Sequence, residues 1–240
     1  MPPGSTRRVC DGRGDMGQAL GTTLPLAVAI AVFPVPVIAV VLVLGSDRGK
    51  AKGLAFVLAW SLGLAAVGVV ALVLAGAIGA SDDGEPATWA SVLLLALGVL
   101  LLALAVRQWR GRPRTAEEAL VPGWMRAVND FSIPRAGSAG FALSAVNPKN
   151  ALLVAAAATE IDELGLPAGK EAAVLAVFVL VASIGVLTPL LLAVFLGERS
   201  GPLLDELRGW MVRHNAAIMS VLFVLIGTKL IGDAVSGLSS

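Results

Sequence analysis

Apolar residues run along this chain in six long stretches rather than in the alternating stripes of a water-soluble helix or strand. They are roughly Thr22–Leu44, Leu54–Ala80, Trp89–Val106, Ala139–Thr159, Ala172–Leu196 and Ala216–Val235. Each is close to the ~20 residues that a helix needs to cross the hydrocarbon core of a bilayer. The pattern predicts an all-α, polytopic membrane protein with six transmembrane helices. Prolines interrupt three of the six: Pro34 and Pro36 in the first, Pro148 in the fourth and Pro189, preceded by Thr188, in the fifth. The first stretch is too long for a cleaved signal sequence, and no small-residue processing site follows it.

The fourth stretch carries the most informative interruption, Asn147-Pro148-Lys149-Asn150. Lys149 stands about ten residues from either end of the run, so at about 1.5 Å per residue it is expected ~15 Å deep. Snorkelling does not reach the surface from there, and an ionisable residue at that depth is a functional-site candidate. Pro148 has no N–H and leaves the Ser144 carbonyl without its helical donor. Broken helices at membrane depth are tolerated where they face protein or a wet cavity. A polar cavity near the midplane is therefore expected, lined by Asn147, Pro148, Lys149 and Asn150. The asparagine amides suit either a polar headgroup or a cap on the broken helix.

Composition agrees with the pattern: hydrophobic residues make up 57% of the chain and charged residues 15%, too apolar for an ordinary soluble domain. The net charge of +1 gives no reason to expect nucleic acid, but its distribution assigns sides. Arg48, Lys50 and Lys52 follow the first span, and Arg107, Arg110, Arg112, Arg114, Arg126 and Arg135 follow the third. Asp82, Asp83 and Glu85 follow the second, and Glu160, Asp162, Glu163 and Glu171 follow the fourth. By the positive-inside rule the basic loops are cytoplasmic and both termini extracytoplasmic. Arg7, Arg8 and Arg13 fall on the wrong side, which is repaired if translation begins at Met16. Residues 1–15 are accordingly a tail or an upstream mis-start, and they hold the single cysteine, Cys10.

The two halves resemble each other. Ala90–Val106 reads against Met219–Val235 at a constant offset, matching Ser91 to Ser220, Gly98 to Gly227, Leu101 to Leu230 and Ala105 to Ala234. Ala31-Val32-Phe33-Pro34 falls on Ala145-Val146-Asn147-Pro148. Repeats with an odd number of spans run through the membrane in opposite senses, and inverted repeats with broken helices at corresponding places point to a transporter whose site lies where the breaks meet. The expected organisation is a first three-helix repeat over 16–106, a basic cytoplasmic loop over 107–138 and a second three-helix repeat over 139–240. Pro34 and Pro36 are expected to face Asn147–Asn150 across the site.

Pro34-Val35-Pro36, the basic turn Asp47-Arg48-Gly49-Lys50 and Asn147-Pro148-Lys149 resemble the lysine-exporter (LysE) superfamily, whose members carry Pro-Gly-Pro in the first helix and Asn-Pro-Lys in the fourth. Val35 stands where most members have glycine. The chain looks closer to the GAP family within it, the peptidoglycolipid- or sulfolipid-addressing proteins of actinobacterial envelopes. That likeness extends through Pro122-Gly123-Trp124-Met125, Asn147-Pro148-Lys149-Asn150 and Ile226-Gly227-Thr228-Lys229-Leu230-Ile231-Gly232-Asp233, over essentially Met16 to Leu238. The resemblance implies a bacterial cytoplasmic-membrane protein that moves or addresses an envelope lipid or glycolipid. It also implies membrane lipids around it and a larger lipid exporter or lipid-synthesis enzyme beside it, with an oligomer open.

Other positions extend or limit this reading. Lys229 and Asp233 are four apart and share a helix face, so they are expected to neutralise each other and to extend the polar path; Asp233 alternatively reaches the headgroups. Gly63 and Gly68 with Ser61, and Ala182 and Ser183 with Gly185, read as small-residue packing faces. Trp89, Trp109 and Trp210 read as interfacial anchors. Trp124, Met125, Val128 and Phe131 recur at helical spacing beside Arg126, which suits either an amphipathic helix on the cytoplasmic leaflet or an ordinary basic loop that fixes topology. Enzyme signatures are lacking. Gly45–Ala51 is one residue short of a phosphate loop, and the chain has one histidine, His214, and one cysteine. No cofactor or metal is expected. Three functions stay open: a lipid translocation factor, an exporter of a small polar metabolite such as an amino acid, and a non-transporting scaffold for lipid-export machinery. With Lys149 and Lys229 as cations and only Asp233 as acid, an anionic or neutral-polar headgroup is expected.

Overall fold

The computed structural model describes residues 15–79, 88–111 and 131–239, and among them every regular element is helical. The helices are α1 (Met16–Ala31), α2 (Pro34–Leu44), α3 (Gly49–Gly79), α4 (Thr88–Arg110), α5 (Ile133–Phe141), α6 (Pro148–Glu163), α7 (Ala168–Leu196) and α8 (Ser200–Ser239). A π-helical turn, Ala142–Val146, joins α5 towards α6, and a 3₁₀ turn, Gly197–Arg199, joins α7 to α8. The expected N-terminal tail over 1–14, the acidic loop at Asp82–Glu85 and the amphipathic stretch at Trp124–Val128 lie outside the described residues. Three helices are long and apolar enough to cross a membrane among the described residues, and five spans result when each of two bent pairs counts as one.

The bent pairs sit where the prolines are. Pro34 and Pro36 occupy the first turn of α2, where a missing N–H is harmless, but nothing can then continue the ladder of α1. The Phe33 N–H turns back to the Ile30 carbonyl at 3.2 Å, and α1 and α2 meet at 51°. In the second pair the π-helical turn loosens the ladder just ahead of Pro148, and the two parts meet at 57°. The fourth apolar run is thus two helical pieces spanning Ile133–Glu163 rather than one kinked helix. Pro189, by contrast, lies buried inside a continuous α7.

One segment departs from the sequence reading. The charged stretch Glu198–Arg213, which separates the fifth and sixth apolar stretches, belongs almost entirely to α8. Leu204 and Met211 are buried and Leu207 partly so, and this i, i+3, i+7 spacing lays them on α2 and α5, with Val37, Ile38, Val41 and Ala136. The charges ride on the opposite side of the same helix, which is how an amphipathic helix reconciles the two.

Association of helices in lipid relies on close van der Waals packing at small residues and on interhelical hydrogen bonds, and both are present. α4 lies along α8, α3 packs against α5, α6 and α7, and α1 against α6 and α7. Gly98 on α4 and Gly227 on α8 meet back to back: a β-carbon on either would crowd the other's carbonyl oxygen, at 2.9 and 3.0 Å. A β-carbon on Gly63 would strike Ser144 in the π-helical turn, and one on Gly185 would strike the Ala31 carbonyl at the end of α1. The Ser61 and Ser183 hydroxyls hydrogen-bond between α3 and α7 at 3.0 Å. Large apolar side chains also cover the outside, among them Leu62, Val73, Leu180 and Phe195. A surface of that kind is tenable in lipid and is an aggregation hazard in water.

Candidate functional site

The second break is held open by its own asparagines. Asn147 is the N-cap of α6: its Oδ1 accepts from the Lys149 N–H at 3.1 Å, a standard use of Asn at this position. Asn150 is fully buried, and its Nδ2 donates to the Leu143 carbonyl at 3.0 Å, one of the acceptors that the end of a helix leaves without a donor. The two amides therefore satisfy the backbone on both sides of Pro148. The Asn150 Oδ1 is buried with no hydrogen-bond partner among the described residues, as is the indole N–H of Trp60 on α3.

Lys149 crosses from this break to the other one. Its Nζ donates to the Ala29 carbonyl of α1 at 3.3 Å and lies 4.1 Å from the centroid of the Phe33 ring. Ala29 is an acceptor in want of a donor, because the Phe33 N–H that would serve it in a continuous helix bonds Ile30 instead. The negative end of the α1 dipole favours a cation there, and the ring face adds a cation–π contact. Among the described residues no carboxylate comes within salt-bridge reach of this ammonium. Pro34 and Pro36 follow immediately, both buried in the first turn of α2. The two breaks thus meet through Lys149, Ala29 and Phe33.

Lys229 does not join this cluster. It pairs with Glu160 near the end of α6, Nζ to Oε1 at 2.8 Å. Glu160 is eleven residues beyond Lys149 on the same helix, about 16 Å along its axis. The expected pairing of Lys229 with Asp233 falls on a side chain, that of Asp233, outside the described residues; the carboxylate of Glu160 at Lys229 comes from a different helix. A partly exposed pair of this kind contributes little to stability, but it ties α8 to α6.

Ala29 and Phe33 escaped the sequence reading because an alanine carbonyl leaves no trace in a sequence and Phe33 reads as one more apolar residue. The repeat does place Phe33 opposite Asn147, which is the signal that could have found it. A stronger repeat signal was overlooked. Phe56-Val57-Leu58, Ser61 and Gly63 recur as Phe178-Val179-Leu180, Ser183 and Gly185, and the two serines hydrogen-bond to each other. Each of the two glycines receives the end of the broken helix from the other half of the chain. Among the described residues no three metal-ligating side chains gather.

Chemically, the junction offers one ammonium with donors to spare, the N-terminal turn of α6, and an aromatic face beside them. That set suits an oxyanion. Residues 23–236 match the family model described as Sap, sulfolipid-1-addressing protein. No curated protein and no solved structure matches the chain.

Proposed function

The chain belongs to the sulfolipid-1-addressing protein family, and from that premise we propose that it is a membrane translocation factor that moves an anionic or polar envelope lipid, with the headgroup handled at the junction of the two broken helices. The observation that carries this is Lys149, which reaches from the second break to the Ala29 carbonyl and the Phe33 ring at the first. A sulfated, phosphorylated or carboxylated headgroup would take the free donors of that ammonium in charge-assisted hydrogen bonds. Substrate sites in transporters built from inverted repeats lie where discontinuous helices meet.

The same reading takes the chain as six spans in two inverted three-helix repeats, in the bacterial cytoplasmic membrane, with both termini outside. Three features support it: both bends lie at corresponding prolines, Ser61 bonds its counterpart Ser183, and Gly98 packs on its counterpart Gly227. Contacts between equivalent residues are what a two-fold relation produces. The role is transport rather than catalysis, with a larger exporter or a lipid-synthesis enzyme as partner. Export of a small zwitterion is the alternative, and it suits the site less well, since an amino acid's ammonium would need an acid that the described part of the junction does not supply. A pure scaffold would not need the half-buried lysine at the junction.

Binding to purified protein in detergent separates these functions. Saturable binding of a sulfated or phosphorylated lipid, and none of free lysine, is expected. Selective binding of a dibasic amino acid with no interaction with anionic lipid would overturn the proposal.

A further inference from the structure

A second feature, on a different pair of helices, has the shape and chemistry of a lipid site. α4 and α8 touch backbone to backbone at Gly98 and Gly227, and towards the C-terminal end of α4 their outer surfaces leave a gap. The gap is a trough of about 420 Å³ between Ala105, Trp109 and Arg110 on one side and Ser220, Val221 and Val224 on the other. Its walls are almost wholly apolar. The hydroxyl of Ser220 is already engaged, donating to the Ala216 carbonyl at 2.8 Å, so it asks nothing of an occupant. Val106, Trp109, Val221 and Val224 are all exposed along it.

The open end is basic. Arg110 closes the trough and Arg107 stands one turn before it, both exposed in the last turn of α4. Among the described residues neither has a carboxylate within salt-bridge reach. An apolar trough of this volume with an unpaired guanidinium at its mouth is complementary to a chain with an anionic head: the guanidinium fork matches phosphate oxygens, and the aliphatic walls match the tail.

We propose that this trough holds one acyl chain of an anionic phospholipid from the surrounding membrane, its phosphate on Arg110. The site is separate from the junction at Lys149 and does not depend on the transport reading. It rests on the apolar trough between α4 and α8 and on the guanidinium of Arg110 that lines it.

Trp109 supplies the readout. Full-length protein in detergent is titrated with phosphatidylglycerol or phosphatidylcholine carrying brominated acyl chains, and the quenching lost in Trp109→Phe is taken as the signal from the trough. Saturable quenching at a lower mole fraction of phosphatidylglycerol than of phosphatidylcholine is expected. Arg110→Gln should shrink that preference about fivefold, the worth of one basic group at an anionic lipid surface. Val221→Phe, which fills the trough from an exposed wall, should weaken quenching by both lipids while helix content is unchanged. Lys149→Ala should leave the titration as it is, so that failure here and failure at the junction are read apart. Equal quenching by the two lipids regardless of Arg110 would overturn the proposal. So would no quenching of Trp109 by either, the result expected if the chain's own segment between Gly111 and Phe131 covers the trough.

Discussion

At Lys149 the ammonium spends one donor on the Ala29 carbonyl and one side on the Phe33 ring, which fixes its position while leaving donors for a ligand. The ring is therefore a positioning group. Cation–π contacts are worth about 0.5–2 kcal/mol, the larger values where the cation is desolvated. Phe33→Leu is expected to weaken binding of an anionic lipid about fivefold, and Phe33→Tyr to keep it near the parent value, as measured by equilibrium binding to purified protein. Unchanged affinity in Phe33→Leu would mean that the ring is only packing. The asparagines were legible as residues of the break, and Pro148 made the break itself legible, because a missing N–H is a local property. Lys229 was legible only in part. Its charge could be read, but Glu160, which pairs with it, comes from another helix, and long-range pairing has no signature in a single sequence.

At the level of the helices, glycine placement decides which elements can touch. Gly185 receives the end of α1, with the Ala31 carbonyl where a β-carbon would be, whereas Gly232 on α8 has nothing within 4 Å of that position. Gly185→Val is expected to lower the thermal midpoint of detergent-solubilised protein by several degrees or to prevent accumulation. Gly232→Ala should be neutral or slightly stabilising, since Ala is favoured over Gly in a helix interior by up to about 1 kcal/mol. Equal behaviour of the two variants would remove the close packing of α1 on α7 from the description. The length of α8 was the main misreading. Glu198–Arg213 carries enough charge to look like a loop, yet Leu204, Leu207 and Met211 already mark a helical face. Apolar runs likewise hid the match of Phe56–Gly63 to Phe178–Gly185, because in a Leu-, Val- and Ala-rich chain most alignments look plausible until a hydrogen bond such as Ser61 to Ser183 singles one out.

For the whole molecule, the serine pair and the glycine pair bring the two halves of the chain into contact, and the proposed topology puts the basic loops on the cytoplasmic side. In a Cys10→Ser background, Gly84→Cys should react with a membrane-impermeant thiol reagent in intact cells and Arg112→Cys should not. The reverse pattern would invert the topology and place the acidic loops inside. The proposed headgroup site rests on one side chain, Lys149. An unpaired lysine within a membrane bundle is a burden on stability, so removing it should spare the fold, and any loss of activity reports function alone. The decisive comparison is the leaflet-resolved envelope lipid profile of a deletion strain carrying either the parent protein or Lys149→Ala at matched membrane levels. The parent should restore the missing anionic lipid to the outer face, and Lys149→Ala should leave it on the inner one. Full restoration by Lys149→Ala would contradict a headgroup site at the junction of the broken helices.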